Sequence, residues 1–161
     1  MVTTYYLEMR SATELCPNPS PTAAFVVQQA KRPLPSLNQY FYQTVGADWG
    51  WTDRLGWTLA QWQAWVERPL LQTWLGYLDG TPCGYFELEK QQDGALDLAY
   101  FGLLPNFLGL GLGGAFLTAA IESAWAWQAS RVLVNTCTLD HPAALKNYQA
   151  RGVKIYKTVQ R

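Results

Sequence analysis

Two early stretches, TYYLEMR at 4–10 and AAFVVQQAK at 23–31, are dense in aromatic and β-branched side chains, with the breaker CPNPSPT between them. Both read as strands. The spacing then lengthens. PSLNQYFYQTV from Pro35 and TLAQWQAWVE from Thr58 read as short helices, with Thr58 as N-cap ahead of Leu59, Trp62 and Val66 at helical spacing. Strand patterns return in TWLGYLD at 73–79 and CGYFELEK at 83–90, joined by an Asp79-Gly80 hairpin turn. A second turn, QQDG at 91–94, leads into the strand ALDLAYFGLL at 95–104. A long helix from about Gly111 to Ala129, a strand RVLVNTCT and a shorter helix from about Pro142 to Ala150 follow. Gly152 stands where a C-terminal cap glycine belongs, and VKIYKTV closes the chain as a strand. This order predicts a mixed α/β sheet in one domain, residues 1–161.

Composition narrows what such a domain does. A chain of 161 residues buries a substantial core. Its formal charge is zero and 15% of its residues are charged, so it carries no electrostatic footprint for nucleic acid or anionic lipid. Cys16, Cys83 and Cys137 form no C-x-x-C pair, which argues against a disulfide framework or a metal site and fits a reducing cytoplasm. MVTTYYLEMR lacks the basic and apolar regions of a signal peptide.

The segment YFGLLPNFLGLGLGGAFLTAAI, residues 100–121, has no charged side chain and five glycines. As a membrane span it would place Pro105 and Asn106 inside the bilayer, with no basic cluster at either end. Gly109-Leu110-Gly111-Leu112-Gly113-Gly114 satisfies G-x-G-x-x-G, yet it follows an antiparallel meander and no acid stands at the end of the next strand. No Lys-Ser/Thr follows the glycines, so it is not a P-loop. What survives is the physics of a strand opening into a helix through glycines. Several backbone N–H groups are left free there, and with the helix dipole they form an anion site without lysine. Glycines that only let the helix sit tightly on the sheet are the competing explanation.

With these residues in view, the chain resembles the GNAT superfamily of N-acetyltransferases over roughly residues 80–158. Its motif A corresponds to Leu103-Leu104-Pro105 through Leu108-Gly109-Leu110-Gly111-Leu112-Gly113. Its motif B corresponds to DHPAALKNYQARGV, with Ala144, Tyr148 and Gly152 in the expected places. The resemblance implies a central, mostly antiparallel mixed sheet flanked by about four helices. It implies acetyl-coenzyme A as co-substrate and a small-molecule primary amine as acceptor, with no metal. Three positions depart from the pattern: Leu108 replaces the usual Gln or Arg, His141 the common Asn, and Val153 the usual Phe. With Leu108 there, the resemblance leaves pyrophosphate contact to the backbone N–H groups from Leu110 to Gly114. Leu103, Leu104, Gly109, His141, Asn147 and Tyr148 complete the implied cofactor set, and Lys146 or Arg151 is implied for the 3′-phosphate.

The resemblance also implies roles. The Leu103 N–H becomes the oxyanion donor, aimed by a bulge at Gly102, since glycine within a strand often marks one. Tyr148 faces the coenzyme sulfur and hydrogen-bonds to charge developing on it. For the general base, an even hairpin loop sets Tyr85, Glu87 and Glu89 with Leu98 and Tyr100, and Phe86 and Leu88 with Asp97 and Phe101. A carboxylate among aromatics suits a base, which puts Glu87 first and Asp97 second; a solvated charge on the strand face is the competing explanation, and an odd loop would swap the faces. Cys137 and His141, four residues apart, raise a covalent route, against the family's usual direct transfer.

Trp49, Trp51 and Trp57 lie in the loop GADWGWTDRLGW. Trp49 and Trp51, with Tyr100, are the residues expected to wall the acceptor, a small apolar amine or an amino-acid derivative, and pinning the loop to the core is the competing and commoner reason for aromatics there. Exposed tryptophans, were any present, would favour a homodimer. Two other classes stay open at this level: a coenzyme A-binding module without turnover, and a dinucleotide-binding oxidoreductase.

Overall fold

The computed structural model describes residues 1–161 and contains seven strands in one sheet. The strands are β1 (Thr3–Met9), β2 (Phe25–Gln29), β3 (Leu71–Leu78), β4 (Thr81–Lys90), β5 (Leu96–Leu103), β6 (Val132–Cys137) and β7 (Lys154–Gln160). The helices are α1 (Pro35–Gly46), α2 (Leu59–Val66), α3 (Gly113–Ala126) and α4 (Ala144–Ala150). Strand order is β2-β3-β4-β5-β6-β1-β7, and only β5 and β6 run parallel. The mixed, mostly antiparallel sheet with four helices is therefore as the sequence indicates. The local signals hold too. Thr58 caps α2 in a capping box with Gln61, and Gly152 follows α4 at φ +96°.

Two layers cover the sheet. Alternation along β4 sends Phe86 and Leu88 into the larger core with Phe116, Leu117 and Ile121 of α3, and sends Tyr85 and Glu87 towards α1 and α2. On that second side Phe41 stacks on Tyr85 with ring centroids 5.3 Å apart, and Trp62 packs on Tyr42 at 5.7 Å. None of the eight tryptophans is exposed, so the tryptophan argument for a homodimer loses its footing.

One irregularity shapes everything downstream. Glu87 pairs with Tyr100, but the next residue, Leu88, pairs with Leu98, leaving Ala99 without a partner. The bulge is thus at Ala99 rather than Gly102, and it shifts the face of everything before it. Asp97 pairs with Glu89 instead of sitting with Leu88. Gly102 has a different reason: a Cβ there would collide with Val45 of α1. Beyond the bulge the sheet opens. β5 and β6 pair only at Leu96↔Val132 and Asp97↔Leu133, then separate, because a bulge bends and twists its strand.

Candidate active site

The gap between the diverging strands is the wall of a cleft of about 930 Å³. Phe101, Gly102 and Leu103 line one side, Asn135 and Cys137 the other, and Thr4 and Tyr6 of β1 extend the second wall. Backbone alternation supplies donors here. The Leu104 N–H donates to Cys83 O on β4, so Leu103 turns its own N–H to the opposite edge, where no strand accepts it.

Above the gap, the chain leaves β5 through a single 3-10 turn, Pro105–Phe107, and enters α3. Gly109 and Gly111 both adopt positive φ, +78° and +77°, which is why glycine is needed at these positions. A Cβ at either would meet no atom of the chain, so the space beside them is open. From Gly109 through Ala115 no backbone N–H has an acceptor within the protein. These amides, at the positive end of α3, form an anion cradle built of main chain. Gly114 has a packing reason as well, since a Cβ there would collide with Asn18 and Arg151.

The cofactor set expected from the sequence converges only in part. Leu103, Leu108, Gly109, Gly111, Leu112, Gly113, Gly114, His141, Asn147 and Tyr148 all line the cleft. Leu104 does not line the cleft and packs against the cluster of Phe41, Val45, Leu75 and Tyr85, and Leu110 is half exposed and offers only its amide. Asn147 Nδ2 donates to Gly113 O at 3.1 Å, tying α4 to the start of α3. Lys146 reaches the cleft, whereas Arg151 packs behind Gly114 with Nε and Nη1 lacking acceptors.

Tyr148 is 6% exposed, lines the cleft and makes no hydrogen bond within the chain, although its hydroxyl stays accessible. Burial, and then the charges of Asp140 and Asp97, hold its proton well above the usual phenol range. It is a donor under all ordinary conditions.

Glu87 is not brought to the cleft. It is fully buried on the α1–α2 side. Arg54 Nη1 donates to Oε1 at 3.0 Å and Oε2 at 3.2 Å, Trp65 Nε1 to Oε1 at 2.9 Å, and Asn38 Nδ2 to Oε2 at 2.9 Å. The Arg54 guanidinium lies 4.3–5.7 Å from the ring centroids of Trp65, Tyr100, Trp57, Trp62 and Tyr42. Both oxygens of this carboxylate are therefore engaged by the chain, and none of its surface faces the cleft. Arg54 and Asn38 carried no sequence signal. An arginine in a glycine-broken loop looks solvated until the fold brings Glu87 beneath it.

Asp97 sits at the apex of the divergence, half-buried on the same face as Glu89. Burial first, then the charge of Glu89, raises its carboxyl to about 6. It does not line the cleft itself, but its neighbours Leu98 and Ala99 do.

Trp49, Trp51 and Tyr100, the residues expected at the acceptor, come together in the cleft. Trp51 lies 4.7 Å from Tyr100, Trp49 lies 4.8 Å from His141, and all four line the cleft. Trp51 Nε1 donates to Asp140 Oδ1, while Thr136 Oγ1 and the Cys137 N–H donate to Asp140 Oδ2. His141 Nδ1 accepts the Ala143 N–H at 3.0 Å, which places the proton of a neutral ring on Nε2. That ring offers the cleft a donor, and no hydrogen bond joins it to Cys137, so the covalent pair is not formed.

The acetyltransferase (GNAT) family model matches residues 34–153. Solved structures of similar shape include a GCN5-related N-acetyltransferase from Kribbella flavida, with TM-score 0.69, 18% identity, and coverage of 97% of this chain and 55% of that one. Another, from Sphaerobacter thermophilus, has TM-score 0.69 and 15% identity over 98% of this chain and 49% of that one. A GNAT-family acetyltransferase from Streptococcus pneumoniae has TM-score 0.62 and 20% identity over 83% and 86%. This chain spans about half the length of the first two. No curated protein sequence matches it.

Proposed function

Because the chain belongs to the acetyltransferase (GNAT) family, we propose that it moves an acetyl group from acetyl-coenzyme A to a primary amine by direct transfer. The observation that carries this reading is the row of free amides in which Gly109, Gly111, Leu112, Gly113 and Gly114 line the same cleft as the accessible Tyr148 hydroxyl. The residues fit the co-substrate. Gly109 and Gly111 leave room for a close approach, the amides suit a pyrophosphate without help from Leu108, and Lys146 supplies a cation at the rim.

Bound there, acetyl-coenzyme A supplies an acetyl thioester as electrophile. The Leu103 N–H donates to the oxyanion that develops as the amine attacks. Tyr148 keeps its proton and gives a hydrogen bond to the departing sulfur. Its depressed acidity makes it a stabiliser of developing charge and not a full proton donor. Asp97 takes the amine proton by way of water at the apex of the divergence, its carboxyl being raised toward the working pH while still ionised at neutrality. Trp49, Trp51 and Tyr100 wall the acceptor, a small apolar amine or amino-acid derivative.

A single-turnover incubation with acetyl-coenzyme A and a primary-amine library tests the reading. Acetylated amine appearing together with free coenzyme A is the expected outcome. Absence of any acetylated amine overturns it.

A further inference from the structure

Two carboxylates line the cleft at its acceptor end, and they differ in one respect. Both oxygens of Asp140 are held, by Trp51 on one side and by Thr136 and the Cys137 amide on the other. Asp53 is exposed, lines the cleft and accepts no hydrogen bond or ion pair from the chain. Its freedom is not looseness. Two residues before it, Trp51 is anchored to Asp140; one residue after it, Arg54 is locked on Glu87 under the Tyr100 ring. The backbone carrying Asp53 is thus fixed on both sides, and its carboxylate is presented to the cleft by a rigid segment.

What surrounds it is aromatic. Trp49, Trp51 and Tyr100 line the same end, and Asp53 is near enough to Tyr100 that its charge adds to the burial raising that phenol. The Tyr100 ring already meets the Arg54 guanidinium at 4.5 Å, whereas a free carboxylate beside the Trp49 and Trp51 rings is complementary to a further cation, and flat apolar walls are complementary to a flat apolar body. The two cations that line the cleft, Lys146 on α4 and Arg161 beyond β7, belong to elements away from the Trp49–Asp53 segment.

We propose that Asp53 selects the acceptor: a primary amine that arrives as its ammonium on an aromatic body, without a carboxylate beside the nitrogen. This rests on the acyl-transfer reading above for its chemistry, but not for its binding. A carboxylate on the carbon that carries the nitrogen would be brought toward Asp53, and like charges so juxtaposed oppose binding. Between the two acceptor types left open by composition, an apolar amine and an amino-acid derivative, Asp53 therefore favours the amine.

Calorimetric titration of the whole chain with phenethylamine and with L-phenylalanine, in the absence of acetyl-coenzyme A, reads this directly. Phenethylamine is expected to bind about 10-fold more tightly than L-phenylalanine. Asp53→Asn is expected to weaken phenethylamine by about 3- to 5-fold, the worth of one exposed ion pair, and to narrow its advantage while leaving acetyl-coenzyme A binding unchanged. The proposal is overturned if phenethylamine does not bind, if L-phenylalanine binds equally well, or if Asp53→Asn binds phenethylamine as the wild type does. Asp53-dependent binding with no acetyl transfer to any amine would sink the acyl-transfer reading and leave the ammonium site standing. Transfer to other amines, with phenethylamine binding indifferent to Asp53, would do the reverse.

Discussion

The glycine turn and the Arg54–Glu87 cluster lie on opposite sides of β5, and they treat polar groups in opposite ways. In the turn, a run of main-chain amides and the Tyr148 hydroxyl face a cleft with no acceptor supplied by the protein. In the cluster, a fully buried carboxylate has its oxygens bonded by Arg54, Trp65 and Asn38, under a roof of five aromatic rings. Folded chains satisfy nearly all their buried polar groups, so uncommitted capacity is the informative state. By that measure the turn keeps hydrogen-bonding capacity that a ligand can use, and Glu87 in the cluster has both oxygens engaged. Glu87 shows how burial alone misleads: a carboxylate among aromatics resembles a tuned base until its partners are counted.

The largest effect that would test this contrast lies on the open side. Tyr148→Phe removes the free hydroxyl and nothing the fold uses. We expect kcat to fall by about 10²–10⁴ with the melting temperature and acetyl-coenzyme A affinity unchanged. Turnover kinetics beside a melting curve check it, and undiminished kcat would remove Tyr148 from the chemistry.

On the closed side the signature reverses. Arg54→Met leaves Glu87 buried without its cation, a change that costs about 3–5 kcal/mol, or roughly 10 °C in melting temperature for a domain of this size. Because Arg54 also anchors the segment carrying Asp53, KM for the amine is expected to rise while affinity for acetyl-coenzyme A holds. A melting temperature equal to wild type would mean that the cluster is not the pin described here.

A smaller effect separates the two carboxylates. The folded-state value of Asp97 lies above the ordinary aspartate value, so the native state holds its proton more tightly than the unfolded chain does. Stability from this residue is therefore lost as pH rises from about 4 through about 6. Asp97→Asn is expected to stabilise the protein at pH 7 by on the order of 2 kcal/mol, with no gain at pH 4. In its proposed role as base, Asp97 is also expected to give wild-type kcat a rise through about pH 6, which Asp97→Asn flattens and Glu87→Gln leaves in place. Denaturation at two pH values and a pH–rate profile read both. Loss of the limb in Glu87→Gln would return the role to Glu87.

How much of this was legible beforehand follows from the range of each interaction. The strands and helices stand near their expected positions because alternation, the Thr58 cap, the Asp79-Gly80 turn and Gly152 are local signals. The cradle was legible for the same reason, since Gly109 and Gly111 answer a local demand for positive φ. The register of Asp97 was not, because the bulge falls at an alanine and Gly102, the residue that suggested one, answers the approach of Val45. Nor was the pairing of Glu87 with Arg54, which joins a strand to a loop 33 residues away. Likewise nothing in TYYLEMR announces that β1 inserts between β6 and β7 and supplies Thr4 and Tyr6 to the cleft. Non-local pairing carries no periodicity.

The most direct test of the central claim is the mass of the intact protein during single turnover with acetyl-coenzyme A. Direct transfer leaves the protein unmodified, whether amine is present or withheld, with the label moving only to the amine. Acetyl accumulating on Cys137 when amine is withheld, and leaving when it is added, would contradict that account.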